Sequence, residues 1–255
     1  TPRPLDLTGR TVLVTGGNGG IGLGMASALG AAGARVIVWG RDEAKTARAL
    51  DTLRAEGTTA DSVIGDLADL DAIGSTFEHA IEIAGGRIDA VFANAARGGR
   101  GTPFLNLGID EWRDVMTLNL DAVMLVLQAA ARHMVEVGGG SLVAVSSTSA
   151  IHGAAHNEAY GTSKTALLGL VRALAVALAR HSIRVNALLP GWTRTDLAAA
   201  GYENETFRTV TTRRTPVRRW ADPAEMGPAA VFLADPTLTF HTGDSLVVDG
   251  GYTIF

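Results

Sequence analysis

The chain has 255 residues, 47% of them hydrophobic and 19% charged, a composition that excludes disordered, collagen-like and low-complexity classes. A formal net charge of −4 provides no overall basic field for a nucleic-acid backbone or an anionic membrane surface. The lack of cysteine rules out disulfides, thiolate metal sites and cysteine nucleophiles, and nothing asks for an oxidising compartment.

Residues 1–9 hold two prolines and an aspartate instead of the basic-then-apolar pattern of a secretory leader, so a cytoplasmic chain is expected. Short β-branched runs bounded by turn residues predict strands at 11–15, 35–39, 62–65, 89–93, 141–146, 184–189 and 245–248. Ala- and Leu-rich segments of helical period lie between them at 20–32, 42–56, 71–84, 110–137, 157–180 and 223–234. Parallel neighbours need a crossover, so this alternation predicts α/β architecture: one Rossmann-type doubly wound parallel sheet of about seven strands, with helices on both faces. Consecutive apolar residues in Val36, Ile37, Val38 and Trp39 fit a strand covered on both sides. No linker or fixed-period repeat divides the chain, which reads as a single domain over residues 1–255. The most apolar stretch, 165–179, is broken by Arg172 and falls short of the ~20 residues that span a bilayer, so no membrane segment is expected. Residues 196–216 interrupt the rhythm without adding a strand and are expected to form a lid over the site.

Thr15-Gly16-Gly17-Asn18-Gly19-Gly20-Ile21-Gly22 joins the first strand to the first helix, and Gly17, Gly19 and Gly22 satisfy G-x-G-x-x-G. Glycine permits a tight turn and close backbone approach to a pyrophosphate, while free N–H groups and the dipole at the helix start favour negative charge. After the second strand, an acid would hold a ribose hydroxyl and an arginine would accommodate a 2′-phosphate. Arg41 follows Gly40 there, which favours NADP(H) over NAD(H). Asp42 is the competing ribose ligand, although an Asp ahead of Glu43, Ala44 and Lys45 also reads as a helix N-cap.

Tyr160 and Lys164 are four residues apart near the start of a predicted helix and so share a face. A nearby cation lowers a tyrosine pKa toward neutrality and makes the phenol a usable acid and base. Ser147 precedes Tyr160 by 13 residues. Thr15 to Gly22 fits T-G-x-x-x-G-x-G and Tyr160 to Lys164 fits Y-x-x-x-K. Together these resemble the short-chain dehydrogenase/reductase superfamily in its form of about 250 residues, and are similar to 3-oxoacyl carrier-protein reductases. The likeness continues through Asp66, Asn94-Ala95-Ala96, Asn119, Pro190 to Thr195 and Asp249-Gly250-Gly251.

The resemblance implies a ketone/secondary-alcohol oxidoreductase with Ser147, Tyr160, Lys164 and Asn119 as its catalytic set. Tyr160 would exchange the proton and Ser147 would orient the carbonyl. Lys164 would lower the Tyr160 pKa and hold the nicotinamide ribose, and Asn119 would support a water chain to Lys164. Cofactor contacts are expected from Gly16, Asn18, Gly20, Ile21, Gly22 and Arg41, from Asp66 and Leu67 at the adenine, and from Asn94 and Ala95. Pro190, Gly191, Thr193 and Thr195 are expected to position the carboxamide, with Tyr160 and Lys164 completing the set. Two departures stand out: Gly19 sits where many NADP-dependent relatives carry Arg or Lys, and Ala96 replaces the usual glycine of Asn-Ala-Gly.

The leading substrate expectation is a 3-oxoacyl thioester; the alternatives are NAD-dependent sugar, polyol or steroid dehydrogenation, or a non-catalytic nucleotide sensor. Trp192, Leu197, Tyr202 and Phe207 suggest apolar contact with the substrate. No metal is expected, since His152 and His156, four apart, lack a third donor nearby. Ser147 lacks the G-x-S-x-G elbow of a hydrolase. Arg213, Arg214, Arg218 and Arg219 read as a solvated, paired face, with an acidic or phosphorylated partner as the alternative. The helices at 110–137 and 157–180 are apolar around much of their circumference, which with the resemblance implies a homotetramer or homodimer through them.

Overall fold

The computed structural model describes residues 4–255, so residues 1–3 of the opening stretch lie outside the described residues. Seven parallel strands form one sheet: β1 (Thr11–Thr15), β2 (Arg35–Gly40), β3 (Ala60–Ile64), β4 (Ala90–Ala93), β5 (Gly140–Val145), β6 (Ile183–Pro190) and β7 (Ser245–Val248). Their order is β3-β2-β1-β4-β5-β6-β7. The order reverses between β1 and β4, and a crevice at the carboxyl ends of the strands opens at that switch point.

Alternation along β1 shows how the sheet divides the core. Val12 and Val14 face Met25 and Leu29 of helix α1 (Gly20–Ala31), Leu53 of α2 (Glu43–Ala55), and Leu233 of a late helix at Gly227–Ala234. Leu13 faces the opposite side, with Phe77 of α3 (Ile73–Ile83) and residues of two later helices, α5 (Ala122–Val137) and α6 (Glu158–Leu178). Helix α4 (Ile109–Met116) packs against α6 outside that cluster. Two shorter helices, α7 (Ala199–Glu203) and α8 (Glu205–Arg214), come after β6, and Gly227–Ala234 is then α9.

Local chemistry explains most of the boundaries. Asp42 caps α2 by accepting from Lys45 N at 2.8 Å, which settles that residue as a cap. Asn204 does the same for α8, accepting from Phe207 N at 3.0 Å. β3 starts two residues before its apolar run because pairing with β2 extends back to Val36↔Ala60. The predicted helix at 110–137 is interrupted: a π-helical turn at Thr117–Asp121 separates α4 from α5 and turns Asn119 inward. The segment 196–216 folds into α7 and α8, which lean on an aromatic cluster: Trp192 stacks on Trp220 at 4.9 Å and meets the edge of Phe207 at 5.0 Å.

Two helical stretches among the described residues, Ile109–Val137 and Glu158–His181, are long and apolar enough to cross a membrane by length and composition. The stretch 165–179 therefore belongs to a longer helix than its own length indicates. Both stretches contribute inward residues, Val126 and Leu127 on one and Leu167 and Val171 on the other, to the core against the sheet. Val135 and Val176 are exposed on their outer sides.

Helix α1 touches the turn before α9 so closely that a Cβ at Gly24 would stand 2.4 Å from the Pro223 carbonyl oxygen, whereas one at Gly74 in α3 would meet nothing within 4 Å. Alanine ordinarily stabilises a helix relative to glycine, so the two sites are expected to respond with opposite signs. Gly74→Ala should raise the unfolding free energy in urea by about 0.5–1 kcal/mol. Gly24→Ala should lower it by about 1–3 kcal/mol through overpacking.

Candidate active site

The crevice at the switch point is a cleft of about 780 Å³, a size typical of small-molecule sites. The β1–α1 turn forms its floor. Gly16 takes a left-handed φ of 64°, and the chain doubles back so tightly that a Cβ at Gly22 would lie 2.1 Å from the Gly16 carbonyl oxygen. Only glycine fits that approach, and it leaves the N-terminus of α1 open to the cleft. Two side chains brace the turn. Asn94 Nδ2 donates to Thr15 O at 2.9 Å, and Asn18 Nδ2 donates to Thr46 Oγ1 of α2 at 3.0 Å. Asn94, expected as a cofactor contact, lines the cleft while its amide holds the glycine turn.

At the β2 end, Arg41 and Asp66 line the cleft and pair with each other at 3.5 Å, both largely exposed. Leu67, Ala95, Ala96, Ile21, Gly20, Pro190, Gly191, Thr193 and Thr195 also line it. All the residues expected to contact a cofactor thus come together in one cleft. The glycine turn and the exposed helix start suit an extended dinucleotide, and Arg41 and Lys45 both line the β2 end of the cleft.

At the far end, α6 presents Tyr160 and Lys164 beside Ser147, which starts the turn after β5. The Ser147 hydroxyl accepts from Ser149 N at 3.1 Å and lies near enough to the Tyr160 phenol to favour its ionised form. Lys164 is buried, its Nζ donating to Val145 O at 2.8 Å and standing 5.7 Å from the centre of the Tyr160 ring. The expected drop in the Tyr160 pKa is not what this geometry gives. Burial pushes the phenol above its usual value and the Ser147 hydroxyl offsets only part of that. Burial also brings Lys164 down to about 8. The ammonium is directed at a carbonyl on β5, and both groups lose water together.

Asn119 is fully buried and acts through its neighbours. Its Oδ1 accepts from Arg97 N and its Nδ2 donates to Arg97 O, both at 2.9 Å; Nδ2 also reaches Ser163 Oγ at 3.2 Å. The side chain expected to support a water chain also clamps the loop after β4 to α6. That clamp fixes Arg97 at the cleft, with Asn157 close by holding Gly99 N at 2.9 Å. Neither residue belongs to a recognisable motif. Trp192 and Leu197 line the cleft as expected, whereas Tyr202 and Phe207 pack against Trp220.

Among the described residues, no three His, Asp or Glu side chains gather as a metal-binding group. His152 packs edge-on against Tyr252 at 5.2 Å. In the arginine cluster, Arg219 pairs with Glu225 at 2.7 Å and Arg214 lies over the Tyr252 ring at 4.3 Å.

Comparison with known proteins decides the family. A family model described as enoyl-(acyl carrier protein) reductase matches residues 16–253. The chain is 38% identical to 5-keto-D-gluconate 5-reductase of Escherichia coli (strain K12), over 98% of this chain and 97% of that one. It is 34% identical to gluconate 5-dehydrogenase of Gluconobacter oxydans (strain 621H), over 99% and 98%. The crystal structure of a gluconate 5-dehydrogenase from Burkholderia cenocepacia J2315 in complex with NADP and tartrate superposes with a TM-score of 0.93 at 34% identity, covering 98% of each chain. The chain belongs to the short-chain dehydrogenase/reductase family.

Membership of this oxidoreductase family agrees with the Ser147, Tyr160 and Lys164 constellation and with the single seven-stranded sheet. Retaining a buried lysine has an energetic cost. Because its folded pKa lies near 8 and its ordinary value near 10.5, the folded state is penalised below pH 8, and the penalty fades as pH climbs toward 10.5. Lys164→Met is therefore expected to raise stability at pH 7 by about 1–3 kcal/mol, with the gain shrinking to nothing above the ordinary lysine range, as read by urea unfolding across pH.

Proposed function

We propose that the chain is an NADP(H)-preferring oxidoreductase that interconverts a ketone and a secondary alcohol on a polyhydroxylated carboxylic acid. The observation that carries this reading is the convergence of Ser147, Tyr160 and Lys164 at one end of a cleft whose other end is a glycine turn and Arg41. The relatives described above have gluconate-type names, and one was solved with NADP and tartrate, itself a hydroxylated acid. They turn the substrate reading from the thioester expected from the sequence toward the sugar and polyol alternative.

A second feature supports an acidic substrate. Asp114 is committed to Arg100 at 3.0 Å, whereas Arg97 approaches the same carboxylate only at 4.0 Å. Arg97 is thus a loosely held guanidinium at the substrate end of the cleft, suited to a carboxylate that offers two oxygens.

In this reading the β1–α1 turn holds the pyrophosphate, Arg41 the 2′-phosphate, Asp66 and Leu67 the adenine side, and the segment from Pro190 to Thr195 the carboxamide. The cofactor, when bound, supplies or accepts the hydride. Ser147 fixes the substrate oxygen by hydrogen bonding, and Tyr160 gives that oxygen a proton in reduction and removes one in oxidation. Its raised pKa keeps the phenol protonated at neutral pH, the form that reduction requires. Lys164 places a positive charge beneath the ring, and Asn119 holds Arg97 and α6 in register.

The test is oxidation of NADPH and of NADH with 5-keto-D-gluconate, keto sugars and an acetoacetyl thioester as substrates. Turnover of the keto acid with NADPH supports the reading; turnover of the thioester alone overturns its substrate half. Tyr160→Phe should lower kcat by about 10²- to 10⁴-fold while cofactor affinity stays near that of the parent, because only the proton donor is removed. Arg97→Gln should raise KM for the keto acid about ten-fold and leave KM for an uncharged ketose unchanged, the loss of one charged hydrogen bond.

A further inference from the structure

The first turn of α2 is fastened to the glycine turn by the Asn18–Thr46 hydrogen bond, which sets Lys45 beside Gly19. The lysine stem crosses the glycine so closely that a Cβ at residue 19 would stand 2.8 Å from Lys45 Cε and 2.9 Å from Nζ. Its ammonium therefore occupies the room that a side chain at residue 19 would need. Lys45 lines the cleft together with Gly19, Gly40, Arg41 and Asp42. Its Nζ is 2.8 Å from Asp196 Oδ2, at the start of the segment leading into α7, and Asp196 is itself exposed.

Charge at this end of the cleft makes Lys45 necessary. Arg41 is outnumbered by Asp42 and Asp66, so a phosphate dianion meeting those three groups alone would face net negative surroundings. Lys45 restores the balance. Its present partner is a mostly solvated carboxylate, and such exposed pairs are worth little, so a phosphate can displace it.

We propose that Lys45 is a second cation for the ribose 2′-phosphate of NADP, acting with Arg41, and that Asp196 is the counter-ion that the phosphate displaces. This rests on the NADP(H) reading above. Lys45 acts as a compact point charge reaching over Gly19, whereas the Arg41 fork approaches from the end of β2.

Calorimetric titration with NADP⁺, NAD⁺ and 2′,5′-ADP tests it without turnover, with thermal unfolding to confirm that each variant is folded. Lys45→Ala is expected to weaken NADP⁺ and 2′,5′-ADP about ten-fold and to change NAD⁺ by less than about two-fold. Asp196→Asn should tighten NADP⁺ by about two- to three-fold, since a competitor for the ammonium is gone. Adding Gly19→Arg to Lys45→Ala should restore NADP⁺ binding, because residue 19 has an extended backbone, φ 178°, that any side chain adopts, and the new cation enters the vacated room. If Lys45→Ala weakens both dinucleotides alike, or neither, the assignment is overturned and the Lys45–Asp196 pair is a structural tie. A parent protein that binds NAD⁺ as tightly as NADP⁺ overturns the NADP(H) reading and the Lys45 assignment with it. A parent preference abolished by Arg41→Ala but untouched by Lys45→Ala overturns the Lys45 assignment alone.

Discussion

One hydroxyl holds together the place where the sheet reverses direction. Thr15 Oγ1 accepts from the backbone nitrogens of Asn94 and Ala95, at 2.9 and 3.1 Å, and donates to Phe92 O at 3.4 Å. It joins the ends of β1 and β4 just where their following loops diverge. Asn94 then reaches back to the Thr15 carbonyl, so the glycine turn rests on a brace supplied by the neighbouring strand. A turn rich in glycine has much backbone entropy to lose, and this cross-strand bracing fixes it in the one conformation that opens the start of α1 to the cleft.

The reacting end depends on a different constraint, the exclusion of water around Tyr160 and Lys164. Desolvation acts on the two groups in opposite directions, pushing the phenol up and the amine down to about 8, and so separates proton affinities that are nearly equal in water, leaving the lysine the first to lose its proton. The buried ammonium is held by a β5 carbonyl in place of water. Asn119 completes the frame by joining the backbone on either side of Arg97 to α6, and it can do so because a π-helical turn rotates it inward.

Much of this was legible in the sequence, for identifiable reasons. The strands are short and β-branched, and the glycine turn joins a strand to a helix, so periodicity and turn chemistry carry the fold. Tyr160 and Lys164 share a face because their spacing matches a helical turn, and Asp42 announces itself as a cap. The less legible features come from contacts between distant segments. Arg97 becomes a site residue only through Asn119, and Lys45 meets Asp196 across 151 positions of chain. The π-helical turn contains neither glycine nor proline to mark it. The direction of the Tyr160 pKa depends on how much water the folded cleft admits, which spacing alone does not encode. Tyr202 and Phe207 looked like substrate contacts because they are aromatic and adjacent to the cleft, yet Trp220 claims them.

Helices α7 and α8 are secured mainly by a local knot of rings and short polar ties, with Trp220 Nε1 bonded to Thr211 Oγ1 at 2.9 Å and Arg208 bonded to Tyr202 O at 2.7 Å. The knot stands apart from the two cores that support the sheet. Changes at Leu197 or within α7 and α8 can therefore reshape the substrate end without loosening the two cores beneath the sheet. Substrate choice and cofactor binding thus rest on separately supported parts of one chain, so either can be altered while the other keeps its packing.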